Sequence, residues 1–189
     1  MEDLMQYLIL GLLSLFISMM VSLRPLPDID SIEIPDNDIG QEKGYIEESY
    51  LARIYDIIIN SNNKIDPKVA KYLSRIIEEE SISSGWNPLY IASIVDMESS
   101  FKISNVNKNS KAKGLMQIMP MYYGEGEDYG LNIHKGINIL DYCYKMTKDC
   151  LLTYECFCAG NKYKEFYKSG KYICDNKKIK KFKNNCRLD

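Results

Sequence analysis

Apolar and polar positions divide the chain into three regimes. Leu4 to Leu23 carries no formal charge and is broken only by Gln6, Gly11, Ser14, Ser18 and Ser22. As a helix it would span about 30 Å, enough to cross a hydrocarbon core. From Arg24 to Gly44 the pattern is lost: Pro25, Pro27 and Pro35 are interspersed with six acids, a composition that cannot bury a core and reads as a solvated stalk. From Tyr45 onward, helical periodicity takes over. Ile46, Tyr50, Leu51, Ile54, Tyr55, Ile58 and Ile59 recur at helical spacing, and the polar stretch Asn60–Asn63 ends the run. Asp66-Pro67 is a capped helix start, followed by a stripe of Val69, Tyr72, Leu73, Ile76 and Ile77 and a stop at Gly85. Asn87-Pro88 repeats the device. The expected class is mainly α.

Composition narrows the choices. With 46% apolar and 26% charged residues in 189, the chain can bury one ordinary core. Its net charge of −2 gives no general bias towards nucleic acid, and none is expected as a partner. The single histidine, His134, excludes a two-histidine zinc site, and no metal or cofactor is called for. The charge is unevenly placed: residues 161–189 hold 10 Lys+Arg against 3 Asp+Glu, a basic end that reads either as a polyanion-binding tail or as a solvated face.

For the apolar N-terminus, an uncleaved anchor is preferred over a cleaved signal peptide. The start is acidic (Glu2, Asp3) and no small-residue cleavage site follows. Arg24 on the C-terminal flank would by itself keep the body in the cytoplasm, although long domains translocate largely regardless of charge. All six cysteines lie between Cys143 and Cys186 without a C-x-x-C pair. That spacing does not suit zinc and points to at least two disulfides in an oxidising compartment, with the connectivity open.

The helix after Asn87 places Ile91, Ile94, Val95 and Glu98 on one face, with Asp96 turned elsewhere to water. A carboxylate closing an apolar stripe would have a raised pKa and keep the proton that a general acid needs. By periodicity alone, a glutamate turning to solvent at a fraying helix end explains the pattern more simply. The residues downstream of Glu98 reverse that preference. Glu98-Ser99-Ser100-Phe101, then Lys113-Gly114-Leu115-Met116-Gln117-Ile118-Met119-Pro120, resembles the lytic transglycosylase family of the soluble type, with a lysozyme-like fold. Asn132-Ile133-x-x-Gly136-x-x-x-Leu140 is similar to the family's third element. Phe157-Cys158-Ala159-Gly160 looks like a degraded form of its Tyr-Asn-Ala-Gly element.

The resemblance implies that Glu98 is the sole catalytic carboxylate, cutting peptidoglycan between N-acetylmuramic acid and N-acetylglucosamine without water to leave 1,6-anhydro ends. It implies substrate-binding roles for Ser99, Gly114, Met116, Gln117 and Phe157, and for Ser110, with Asn107 as its rival. Phe157 stands where the family has a tyrosine that approaches the catalytic carboxylate; Tyr154, one helical turn back, is the candidate replacement. Rival readings are a water-adding muramidase of the goose-lysozyme kind, with Glu125, Glu127 or Asp128 as second carboxylate, and an inactive wall-binding protein.

The expected organisation is therefore an anchor or signal (1–23), a stalk (24–44), a goose-type or lytic-transglycosylase-like helical domain (45–165) and a basic cysteine-containing extension (166–189). Expected partners are glycan strands and, through residues 4–23, a bacterial membrane, with the body on the wall side. A place beside secretion, conjugation or phage machinery is compatible with such a family.

Overall fold

The computed structural model describes residues 49–119 and 129–188. The apolar run Leu4–Leu23, the acidic stalk and the loop acids Glu125, Glu127 and Asp128 lie outside the described residues. Among the described residues no helix is long and apolar enough to cross a membrane.

The regular structure is helical: α1 (Tyr50–Ser61), α2 (Pro67–Ser83), α3 (Pro88–Ser99), α4 (Tyr129–Thr147), α5 (Cys150–Ala159) and α6 (Lys164–Ser169), with 3₁₀ turns at Gly160–Tyr163 and Lys180–Phe182. The starts follow the caps expected from sequence. The Asp66 side chain accepts from Lys68 N at 2.8 Å and that of Asn87 from Leu89 N at 3.0 Å, each before a proline whose missing N–H costs nothing there. The first helix runs through Ser61, two residues further than periodicity predicted, and Asn62 N–H caps it on Ile58 O. Gly85, with φ +70°, makes the turn between α2 and α3.

The α3 helix is the hub. The α1 and α2 helices pack on it, α4 lies against α2, and α5 against α4. Every side chain from Pro88 to Asp96 is buried, so α3 is enclosed on all sides and not merely along a stripe. Here the sequence reading of Asp96 needs correction. Asp96 is 7% exposed and accepts from Ser61 Oγ at the end of α1 and from Lys178 Nζ. Local periodicity cannot foresee this, because the cover comes from a segment more than 80 residues away in sequence.

That cover is the basic C-terminal stretch. Ile179, Phe182 and Cys186 belong to the same core as α3, and the Phe182 ring meets Tyr90 edge-on at 5.7 Å. Fully burying side chains of this size stabilises by about 1.5–3 kcal/mol each. All six cysteines are paired: Cys143–Cys156, Cys150–Cys186 and Cys158–Cys174. The first joins α4 to α5. The other two fasten the first residue of α5 and its penultimate residue to the two ends of segment 174–186, which is thereby held along that helix.

Candidate active site

The C-terminus of α3 carries Glu98, half-buried, and the chain then turns sharply. Ser100 and Phe101 both have left-handed backbones (φ 49° and 55°), rare for residues with a Cβ. Phe101 is fully buried and its carbonyl accepts from Asn62 Nδ2, so packing holds the turn in place. Across from it, Tyr154 in the middle of α5 donates its hydroxyl to Glu98 Oε1 at 3.0 Å. Burial raises the Glu98 pKa, and the Tyr154 hydrogen bond opposes part of that rise by favouring the charged form. Burial, then the charge of Glu98, push the Tyr154 phenol far above its ordinary value, so it remains a donor. Phe157 is half-buried and stacks on Tyr154 with ring centroids 6.5 Å apart. The hydroxyl absent at position 157 is thus supplied one helical turn earlier.

Successive backbone turns lead from Glu98 to the glycine loop. Lys102 N donates to Ser99 O, Asn105 N to Lys102 O, and Gly114 N to Asn105 O. Gln117, itself left-handed at φ 46°, donates both amide protons inward, to Asn105 O at 3.1 Å and Gly114 O at 2.8 Å. Helix α4 locks this loop. Asn132 Oδ1 accepts from Met116 N and its Nδ2 donates to Lys113 O. A Cβ on Gly114 (φ +76°) would lie 2.1 Å from Asn132 Nδ2, and a Cβ on Gly136 would lie 2.1 Å from Met116 Sδ. Gly114 and Met116 on the loop are therefore fitted to Asn132 and Gly136, one turn apart on α4. Steric complementarity explains why these four residues accompany one another.

The expected binding residues separate on these grounds. Met116 has no exposure and packs on Gly136, so it supports the loop from within and does not line a surface. Ser99 is buried and its hydroxyl bonds back to Val95 O, which commits it to its own helix. Ser110 Oγ accepts from Ala112 N and Asn107 Oδ1 from Asn109 N and Ser110 N; both shape the intervening loop, and neither contacts Glu98. Phe157 lies against Tyr154, the partner of Glu98, while Gly114 and Gln117 are joined to each other and to Asn105 in the glycine loop. Asn132 belongs to the motif similar to the family's third element, with no role of its own assigned by the sequence. Its role as a pin was not legible, since it rests on contact with a loop 16 residues earlier.

One further acid was missed altogether. Glu155, fully buried on α5, accepts from the backbone N–H of Ile173 and of Cys174. With Cys158 and Cys174 it forms a trio close enough to share an ion among the described residues. The two sulfurs are bonded to each other, and the carboxylate is occupied by backbone donors. This trio therefore fastens segment 173–174 to α5.

The comparison with known families decides what such a site belongs to. The transglycosylase SLT domain model matches residues 75–180, from within α2 to the second 3₁₀ turn. The chain belongs to the transglycosylase SLT family. No curated protein and no solved structure gives a match. The SLT domain is a helical, lysozyme-like unit that acts on cell-wall peptidoglycan in the lytic transglycosylase manner. Its matched span takes in Glu98, the glycine loop, Asn132, Tyr154 and the stapled segment as far as Lys180.

Proposed function

We propose that this chain is a membrane-anchored lytic transglycosylase that cleaves the β-1,4 bond between N-acetylmuramic acid and N-acetylglucosamine, with Glu98 as its one catalytic carboxylate. The observation that carries the reading is the state of Glu98: a half-buried carboxyl whose pKa is raised by desolvation, held by a neutral phenol. A group poised in this way can be acid and base in turn. Protonated Glu98 gives its proton to the glycosidic oxygen as the bond to C1 breaks, and the positive charge at C1 is relieved by the substrate's own 2-acetamido group. Ionised Glu98 then takes the proton of the muramic C6 hydroxyl as that oxygen closes on C1. No water enters. The proton returns to Glu98, and the two products together have the mass of the substrate. Tyr154 steadies the ionised form between the two halves, because its hydroxyl donates to the charged oxygen.

Gly114, Gln117 and Phe157 are proposed as the substrate-facing surroundings, with the Met116–Gly136 and Asn132–Gly114 fits holding the loop in register. The apolar run Leu4–Leu23 is proposed as the anchor and residues 24–44 as the stalk, with the domain on the wall side of a bacterial membrane. The three disulfides accord with an oxidising, extracytoplasmic site.

Purified peptidoglycan digested by the wild type and by Glu98→Gln, with products weighed by mass spectrometry, tests this. Anhydro ends, one water lighter than a hydrolase would leave, should appear with the wild type and be lost in the variant. Products carrying added water would establish a muramidase. Retained binding without cleavage by either protein would establish an inactive wall-binding module. A reporter fused after Asp189 should be active outside the cytoplasm; activity confined to the cytoplasm would defeat the topology.

A further inference from the structure

Segment 174–186 is more than a cover for α5. From Asn176 to Asn185 its backbone turns tightly: Ile179 N bonds to Asn176 O, Phe182 N to Ile179 O, Lys183 N to Lys180 O and Asn185 N to Phe182 O, all i→i+3, with one i→i+4 bond from Lys180 N to Asn176 O and a 3₁₀ turn at Lys180–Phe182. In such geometry side chains three apart eclipse one another. Asn176, Ile179 and Phe182 are buried, while Lys177, Lys180 and Lys183, at the same three-residue spacing, are exposed to solvent. At a rise of about 2 Å per residue the row repeats every ~6 Å. Cys174 and Cys186, bonded to the two ends of α5, fix the segment that bears it.

The charges in this row are uncommitted. Lys178 is engaged with Asp96, and Lys181 lies over the Phe182 ring with its nitrogen 5.0 Å from the centroid. Asp175, the nearest acid in sequence, accepts from the Lys177 backbone N–H. No described carboxylate pairs with Lys177, Lys180 or Lys183.

We infer that this row is an exosite for a linear phosphodiester-linked polyanion of the cell wall, a chain with one phosphate per repeat unit. The choice of a wall polymer rests on the proposed action on peptidoglycan; the chemistry of the row argues for the rest. Lysines present point charges, which suit isolated phosphates, whereas planar bidentate recognition would call for arginine. Every exposed position from 177 to 185 is Lys or Asn. The row therefore has no aromatic platform on which bases could stack and no apolar side chain to enter a lipid surface. Its attachment is on a different side of α3 from the reacting group. Asp96 and Glu98 project about 200° apart around α3, two residues at 100° each, and Lys178 fixes the segment to the Asp96 side. A polymer held there leaves Glu98 free for the glycan strand, so the exosite would retain the enzyme on wall that bears the polymer.

The test uses the full chain in detergent and a synthetic poly(glycerol phosphate), with binding followed as salt is raised. Wild type and Glu98→Gln should bind alike and with a steep salt dependence, so that the outcome does not depend on catalysis. The Lys177→Gln/Lys180→Gln/Lys183→Gln variant should lose most of the affinity and lower the slope of log K against log salt by about 2, three contacts at about 0.7 each. The corresponding triple arginine variant should keep the slope, and both triple variants, with Glu98 intact, should digest polymer-free peptidoglycan as the wild type does. Equal binding by wild type and the triple glutamine variant would overturn the inference. So would binding only to phosphatidylglycerol-containing vesicles, or equally tight binding to a single-stranded oligonucleotide, which would mean an anionic surface with no preference for the polymer.

Discussion

Replacing Tyr154 by phenylalanine removes one oxygen and leaves the ring that stacks on Phe157. The lost hydroxyl lies 3.0 Å from Glu98 Oε1. A hydrogen bond to a charged group is worth about 1.5–3 kcal/mol, and 1.36 kcal/mol corresponds to one pKa unit. The phenol also bonds the neutral acid, so only the difference between a charged and a neutral hydrogen bond, about 1–1.5 kcal/mol, favours ionised Glu98, and its removal should raise the Glu98 pKa. The first step needs the protonated acid, so kcat/KM falls as pH rises through the Glu98 pKa of the free enzyme. In Tyr154→Phe that descending limb should move to higher pH by about one unit. The assay is the initial rate on soluble glycan fragments from about pH 4 to pH 9, at substrate well below KM, with circular dichroism to confirm the fold. A folded variant whose limb stays where the wild type has it would refute the claim that Tyr154 tunes Glu98.

Other consequences can be checked separately. Glu98→Gln should abolish cleavage yet raise stability at neutral pH. Burial raises the folded-state pKa of Glu98, so folding takes up a proton between the unfolded value, about 4.3, and the folded one, and stability falls across that window. The amide escapes this, and in thermal melts its advantage should vanish below about pH 4. Gly136→Ala should be destabilising because its Cβ would meet Met116 Sδ at 2.1 Å, and Met116→Ala should cost about 2–5 kcal/mol through the cavity it leaves. In urea titrations the double variant should lose clearly less than the sum, and strict additivity would mean that the two residues do not fit each other. Converting Cys150 and Cys186 to alanine opens a link spanning 36 residues and should cost roughly 3–5 kcal/mol, read as a lower urea midpoint. An unchanged midpoint would show that the C-terminal segment holds without its staple.

Much of the chain is legible in the sequence alone. The helix starts at Asp66-Pro67 and Asn87-Pro88 are local: a side-chain acceptor and a proline fix the first turn whatever surrounds them. Glu98 and the Gly114–Gln117 loop were marked by residue type and order, and the Tyr154 hydroxyl was predictable from helical spacing against Phe157. What no local pattern could show is which elements meet. Asp96 was read as solvated because its own helix offers no partner; Lys178 comes from the far end of the chain. Met116, given a substrate-binding role by the family resemblance, lies in the core, because Gly136 leaves the space it fills. The pairing of the six cysteines, and with it the alignment of the lysine row along α5, likewise depends on contacts between distant segments. Periodicity and capping are set within a few residues by backbone geometry. Burial, charge pairing and pKa are set by whatever packs against a residue, and only the tertiary structure decides that.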